Sequence, residues 1–139
     1  MKRKVWGYVL LFLGMLLVIL GYCLFNRIFP KAKPIRTPEL NNISSISVAI
    51  STEEGFLIND VNMEGLLEKI RDVKPTRKQS LNDYPTCRPF YQLEIKTVNH
   101  TFRYFIYEEG EQIYVEVPYE GVYVADIKLF DFVLNYFEE

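Results

Sequence analysis

"FYQLEIKTVNHTFRYFIYEEGEQIYVEV", residues 90–117, decides the fold. In its first part Leu93, Ile95 and Thr97 alternate with Gln92, Glu94 and Lys96, the period-two pattern of a strand with one buried face. Asn99-His100 has the length of a two-residue hairpin turn, and "TFRYFIYE" returns antiparallel. "EGE" turns the chain again, and "QIYVEV" adds a third strand with Ile113, Val115 and Val117 on one face. The stretch is a β-meander.

Upstream, Ile43, Ile46, Val48 and Ile50 separated by serines predict a strand, and "TEEG" turns the chain toward a short strand near Phe56 to Ile58. "NDVNMEGLLEKIRDV" predicts a helix capped by Asn59, Asp60 or Asn62, with Val61 or Met63, Leu66, Leu67, Ile70 and Val73 at helical spacing. Gly65 inside it costs about 1 kcal/mol relative to Ala, a cost that close packing against the sheet would explain. Lys74-Pro75 ends the helix, because the residue before a proline avoids helical backbone angles. Downstream, Asp126 caps a last helix whose Ile127, Phe130, Val133, Leu134 and Phe137 fall on one stripe. The order β-β-α-β-β-β-α predicts an α+β fold, an antiparallel sheet with two helices on one face.

If Phe102, Tyr104 and Ile106 point toward those helices, Arg103, Phe105 and Tyr107 point away, beside Tyr114 and near Gln92, Glu94 and Glu116. This is expected to be an uncovered face. Its aromatics are either a recognition surface or cross-strand pairs that stabilise a small sheet, and the second arrangement is the commoner.

The N-terminal part belongs to a different environment. Val5 to Phe25 carries no charge, and at a rise of 1.5 Å per residue it reaches about 30 Å, the thickness of a bilayer's hydrocarbon core. Trp6 and Tyr8 near one end and Tyr22 near the other suit the two interfaces. "LGYC" at 20–23 resembles a lipoprotein cleavage site, but large Tyr22 precedes the Cys and apolar Leu24 and Phe25 follow it. The expected reading is an uncleaved anchor over 1–27, a basic Pro-rich linker over 28–39 and an acidic domain over 40–139. Lys2, Arg3 and Lys4 at a very short N-terminus favour that end inside the cell and the domain outside. Arg27, Lys31, Lys33 and Arg36 then suit anionic headgroups.

Charge divides between the two parts. Residues 1–39 carry a net charge of +6 and residues 40–139 a net charge of −8. An acidic globular part argues against a nucleic-acid partner, because phosphate binding needs a basic face. The bilayer and an envelope or membrane protein are the expected partners. Cys23 and Cys87 lie in different environments, so no disulfide is expected, and the domain must cohere by packing.

Chemistry finds little support in the residue types. One His, with no CxxC or HxxxH spacing, argues against a metal site, and His100 falls at a hairpin tip. Ser80 and Cys87 have no evident paired base, glycine-rich phosphate loops are absent, and no cofactor is expected. Carboxylate pairs such as Glu53-Glu54 read as solvated surface. A non-catalytic domain is the expectation.

One polar stretch remains, "VKPTRKQSLNDYPTCRP" at 73–89. Thr76, Arg77, Lys78, Ser80, Asn82 and Asp83 could contact a ligand or partner, two bases and hydroxyls suiting an anion. Ser80, Asn82 and Asp83 equally suit turn-defining bonds to the backbone, with Pro85 holding Tyr84 extended. The structural role is the commoner for such loops.

That loop, with "YEEGEQIYVEVPYEGVYVAD" at 107–126 and its Tyr-rich segment at 114–123, resembles an uncharacterised family of short membrane-anchored proteins of Gram-positive bacteria. The matching positions are Pro75, Thr76, Arg77, Lys78, Ser80, Asn82 and Asp83, then Tyr107, Glu108, Tyr114, Glu116, Pro118, Tyr119, Gly121 and Tyr123. Val117 stands where the family pattern has Gln. Similar domains end membrane metallopeptidase sensors of the β-lactam-response type, so the resemblance implies a sensory or regulatory accessory and transfers no catalytic residue. Tyr114, Tyr119 and Tyr123 join the loop as expected contact residues, Arg77 first among them. The alternative is an assembly subunit acting through its membrane helix, where Gly7, Gly14 and Gly21 recur near one face.

Overall fold

The structure, a computed structural model, describes residues 2–51, 53–58 and 62–137, with side chains from Trp6 onward. It divides into two units, Met1–Lys31 and Ala32–Glu139. The first is helix α1 (Lys2–Ile28), whose Trp6–Ile28 portion is long and apolar enough to cross a membrane. Its large apolar side chains are exposed all around, as on a helix built for an apolar solvent. Arg27 lies in its last turn, where a cation complements the helix dipole.

The second unit contains β1 (Ile43–Ile50), β2 (Phe56–Leu57), α2 (Met63–Arg71), β3 (Lys74–Pro75), β4 (Tyr91–Thr97), β5 (Thr101–Glu109), β6 (Gln112–Val117), β7 (Gly121–Ala125) and α3 (Ile127–Leu134). The strands form one antiparallel sheet in the order β2-β1-β4-β5-β6-β7-β3. The expected α+β sheet is present, with two additional strands. Gly121–Ala125, to which the sequence analysis assigns no element, pairs with β6, and Lys74–Pro75 adds the edge beyond it.

Period-two alternation and the register together build the core. Val48 stands opposite Leu93 and Leu93 opposite Tyr104, while Ile106 faces Val115 and Val115 faces Tyr123. These side chains and Ile46, Ile95 and Ile113 are buried under Leu66, Leu67 and Ile70 of α2 and Leu129 and Val133 of α3. Both helices therefore cover the same face.

Local chemistry sets the helix starts. Asn62 accepts the Gly65 amide at 3.0 Å and Asp126 accepts the Lys128 amide at 2.9 Å, each relieving one unpaired amide of a first turn. Asn59, Asp60 and Val61, the other expected start residues, lie outside the described residues. Gly65 has a different cause from the expected sheet packing, since a Cβ there would come within 2.9 Å of the capping Asn62 side chain. In α3 the buried positions are Leu129 and Val133, with Phe130 and Phe137 partly covered, whereas Ile127 is exposed. The stripe is rotated from the expected one onto Leu129 and Val133, four residues apart and so one above the other on a single helix face. The β4–β5 turn is displaced by one residue from the expected Asn99-His100: Lys96 pairs with Thr101, Thr97 exchanges bonds with His100, and Val98 and Asn99 lie between them.

The basic Pro-rich segment expected as a linker over 28–39 is, from Ala32 onward, part of the domain. The Ala32 amide donates to the Thr76 carbonyl at 2.8 Å, Tyr123 Oη donates to the Lys33 carbonyl at 2.8 Å, and Tyr104 Oη donates to the Arg36 carbonyl at 2.7 Å. Ala32 and Ile35 pack against the core, and Pro38 is buried. The two tyrosine rings fill the core while their hydroxyls need acceptors, and the carbonyls of this strap, residues 32–37, supply them.

Burial pushes the Tyr104 and Tyr123 hydroxyls above the ordinary tyrosine value of 10.0, with Glu120 adding to both. A folded-state value above the unfolded one favours the fold while the group is neutral, and that contribution is lost as pH climbs past the unfolded value. The thermal midpoint should thus be insensitive to these groups between about pH 7 and 9 and fall above about pH 10. Tyr104→Phe with Tyr123→Phe should flatten that alkaline fall. An unchanged fall in the double variant would contradict the assignment.

Candidate functional site

The face of the sheet away from the helices carries Phe105 and Tyr107 from β5, Tyr114 and Glu116 from β6, and Gln92 and Glu94 from β4. Strand parity puts them there as expected, but this part of the face is not uncovered. Phe105 is 0 % exposed and Tyr107 5 %. What covers them is the polar connector itself, which leaves β3 and crosses this face before entering β4.

The covering is partly aromatic. Phe90, also fully buried, meets Phe105 edge-on at 5.3 Å, and Tyr84 stacks over Phe90 at 6.2 Å and lies 5.6 Å from Phe105. Pro85 is buried beside it, and Cys87 packs on the same cluster, its thiol donating to the Glu108 carbonyl at 3.4 Å. Tyr84, Pro85 and Phe90 are apolar residues in an otherwise polar stretch, a signal of the covering role that the sequence analysis leaves unused.

Beneath the loop sits a carboxyl group. Glu116 stands between Phe105 and Val122 in the register and is 8 % exposed. Ser80 Oγ donates to its Oε1 at 2.7 Å, and Tyr107 Oη donates to its Oε2 at 3.2 Å. Burial, with Glu116 next, pushes the Tyr107 hydroxyl well above its ordinary range. A buried carboxyl group is tolerable when hydrogen-bonded, and these two donors satisfy both of its oxygens.

The expected contact residues divide by position. Thr76 is built into the sheet margin: its amide and hydroxyl both donate to the Val122 carbonyl, at 3.1 and 2.6 Å, and its Oγ1 accepts the Lys78 amide at 3.0 Å. Arg77 is half-buried. Lys78 pairs with Glu109, a bond that raises its ammonium value, and its Nζ lies 4.0 Å from the centre of the Tyr114 ring. Ser80 is buried on Glu116, so it serves the seating of the loop and not a surface. Tyr123 is corrected outright, since its side chain is fully buried on the helix-covered face, opposite Val115. Parity along β7 places it there, a reading that required recognising the strand.

Asn82, Asp83 and Tyr119 do meet the solvent. Tyr119 is 67 % exposed, and its hydroxyl donates to Asp83 Oδ1 at 2.8 Å, a bond that raises its value. Its backbone φ of 61° is uncommon for a non-glycine residue and holds the ring out from the β6–β7 turn. Leu81, 70 % exposed, and Tyr84, 45 % exposed, were not among the expected residues. Together these side chains form an outer rim on the seated loop.

Elsewhere the second face is polar. Arg103 Nε donates to Glu94 Oε1 at 2.8 Å, and Gln92 Nε2 donates to the same oxygen at 3.1 Å. Among the described residues, no group of three or more His, Cys, Asp or Glu could hold a metal ion. His100 sits exposed at its hairpin tip, edge-on to Phe102 at 4.7 Å.

The chain is similar to a protein from Ruminococcus gnavus with a structure determined by NMR. The two share 28 % identity over 65 % of this chain and 89 % of that one, with a TM-score of 0.54. A comparison with curated proteins finds no match. A family model described as "Domain of unknown function (DUF5300)" matches residues 31–124, from the first residues of the strap to the end of the sheet. With the greater part of its length so matched, the chain belongs to the DUF5301 family of domains of unknown function.

Proposed function

We propose that this is a single-pass membrane protein displaying a non-catalytic binding or sensory-accessory domain outside the cytoplasmic membrane. The observation that carries the binding role is the rim of Leu81, Tyr84 and Tyr119 around Asn82 and Asp83. Large apolar and aromatic side chains stand in solvent there, on a loop whose underside is fixed by Glu116, Phe90 and Phe105. Aromatic anchors held in place before binding lose little conformational freedom on association, which is what a contact surface requires.

The hydroxyl and thiol groups that catalysis would call upon are engaged in holding the loop. Ser80 donates to a buried carboxyl group beneath it, and Cys87 to a strand carbonyl. That supports a role in recognition over a chemical one. The exposed apolar length of α1 supports anchoring, and the N-terminal Lys2, Arg3 and Lys4 support a cytoplasmic N-terminus.

Two experiments test this. Full-length protein carrying Leu81→Ala and Tyr119→Ala should lose at least about tenfold in recovery of cross-linked envelope partners, equal to about 1.4 kcal/mol, while its thermal midpoint stays within about 2 °C. A parallel loss of stability would assign the rim to the fold alone. For orientation, Val98→Cys, at an 86 % exposed hairpin position, in a Cys87→Ser background should react with a membrane-impermeant thiol reagent in intact cells. Labelling that requires cell lysis would place the domain inside.

A further inference from the structure

The strap at 32–37 touches both supports of the contact rim. At its start, the Ala32 amide bonds the carbonyl of Thr76, the first residue of the covering loop. Thr76 is in turn fixed to Val122 through its amide and hydroxyl, and Val122 donates its own amide to the Lys78 carbonyl at 3.3 Å. At its other end, the Arg36 guanidinium pairs with Glu120, the residue next to Tyr119 in the β6–β7 turn. Between these ends the Lys33 and Arg36 carbonyls accept the Tyr123 and Tyr104 hydroxyls, and Arg71 Nε donates to Thr37 Oγ1 at 2.9 Å.

The strap also fits where a side chain is missing. Gly121 has a φ of 152°, and a Cβ on it would come within 2.5 Å of the Ala32 Cβ. The turn that presents Tyr119 is therefore shaped for a strap lying against it. Tyr119 reaches back to Asp83 of the loop, so strap, loop and turn close a ring of contacts.

We propose that the strap regulates the contact rim: seated, it holds the root of the loop and the Tyr119 turn in the conformation that presents Leu81, Tyr84 and Tyr119, and released, it loosens both together. The strap is the segment through which the domain joins the preceding helix, so displacement of that segment is transmitted to the rim. Linkage makes the effect reciprocal, and a partner that favours the ordered rim favours a seated strap. A few hydrogen bonds, a surface ion pair and the partly buried Ala32 and Ile35 hold the strap, so its release is a local opening that lies below global unfolding. The biological meaning rests on the rim being a contact surface, while the coupling itself needs no partner.

Hydrogen exchange on the full-length chain in lipid nanodiscs tests it, comparing wild type with Arg36→Ala combined with Tyr123→Phe. Exchange should rise at least about fivefold in the strap, in 76–83 and in 117–122, with β4 unchanged. Faster exchange in the strap with 76–83 and 117–122 unchanged would overturn the coupling. If β4 also loosens, Arg36→Ala alone, a substitution at an exposed side chain, is judged by the same two outcomes. Loss of partner capture by the rim variant and this exchange response are separate results. An intact coupling with no captured partner would remove the contact reading and leave the strap's effect on the loop standing.

Discussion

A sheet has two faces, and the helices of this domain cover one. With nine residues in α2 and eight in α3, both packed on the side of Val115 and Tyr123, the aromatic half of the other face has to be covered by something else. Leaving Phe105, Tyr107 and Phe90 in water would forfeit about 1.5–3 kcal/mol for each large apolar side chain. The chain meets this with its longest connector, and that requirement explains why a polar loop carries Tyr84, Pro85 and Phe90. It also explains the buried position of Glu116, which gives the loop a directional attachment where packing alone would allow it to slide.

The same economy of covering elements accounts for the strap. Beyond β7 the sheet ends in a two-residue strand containing a proline, a short edge of the kind that resists further pairing. The strap lies along that margin and supplies acceptors for two tyrosine hydroxyls whose rings belong to the core. A segment rich in proline and bases thus becomes structural through its carbonyl groups and the packing of Ala32 and Ile35, with the Arg36 guanidinium adding an ion pair to Glu120. The family match beginning at residue 31 agrees with a domain that includes it.

Much of this was legible in the sequence because it follows from periodicity. The meander, the two helices, Asp126 as a cap and the apolar N-terminal helix are all local patterns. Gly121–Ala125 was not legible as a strand, because Val122, Tyr123 and Ala125 are buried on both faces and show no alternation. Phe105 and Tyr107 were assigned to the correct face with the wrong environment. Parity is local, whereas their cover arrives from a loop on the far side of β4 along the chain. The strap failed for a related reason: its proline and lysine content describes how the segment would behave in isolation, and the acceptor role of a backbone carbonyl leaves no mark on composition. Without that strand Tyr123 has no parity to place it inside, and it reads as one of a run of surface tyrosines.

Ser80 and Glu116 fasten the loop to the second face of the sheet. A double-mutant cycle on thermal or denaturant stability, with Ser80→Ala, Glu116→Ala and the pair in the full-length chain, measures that bond most directly. A coupling of about 0.5–3 kcal/mol is expected, because each single change leaves a buried polar group short of a partner and the second change removes that group. Additivity of the two single effects within about 0.3–0.5 kcal/mol would contradict it.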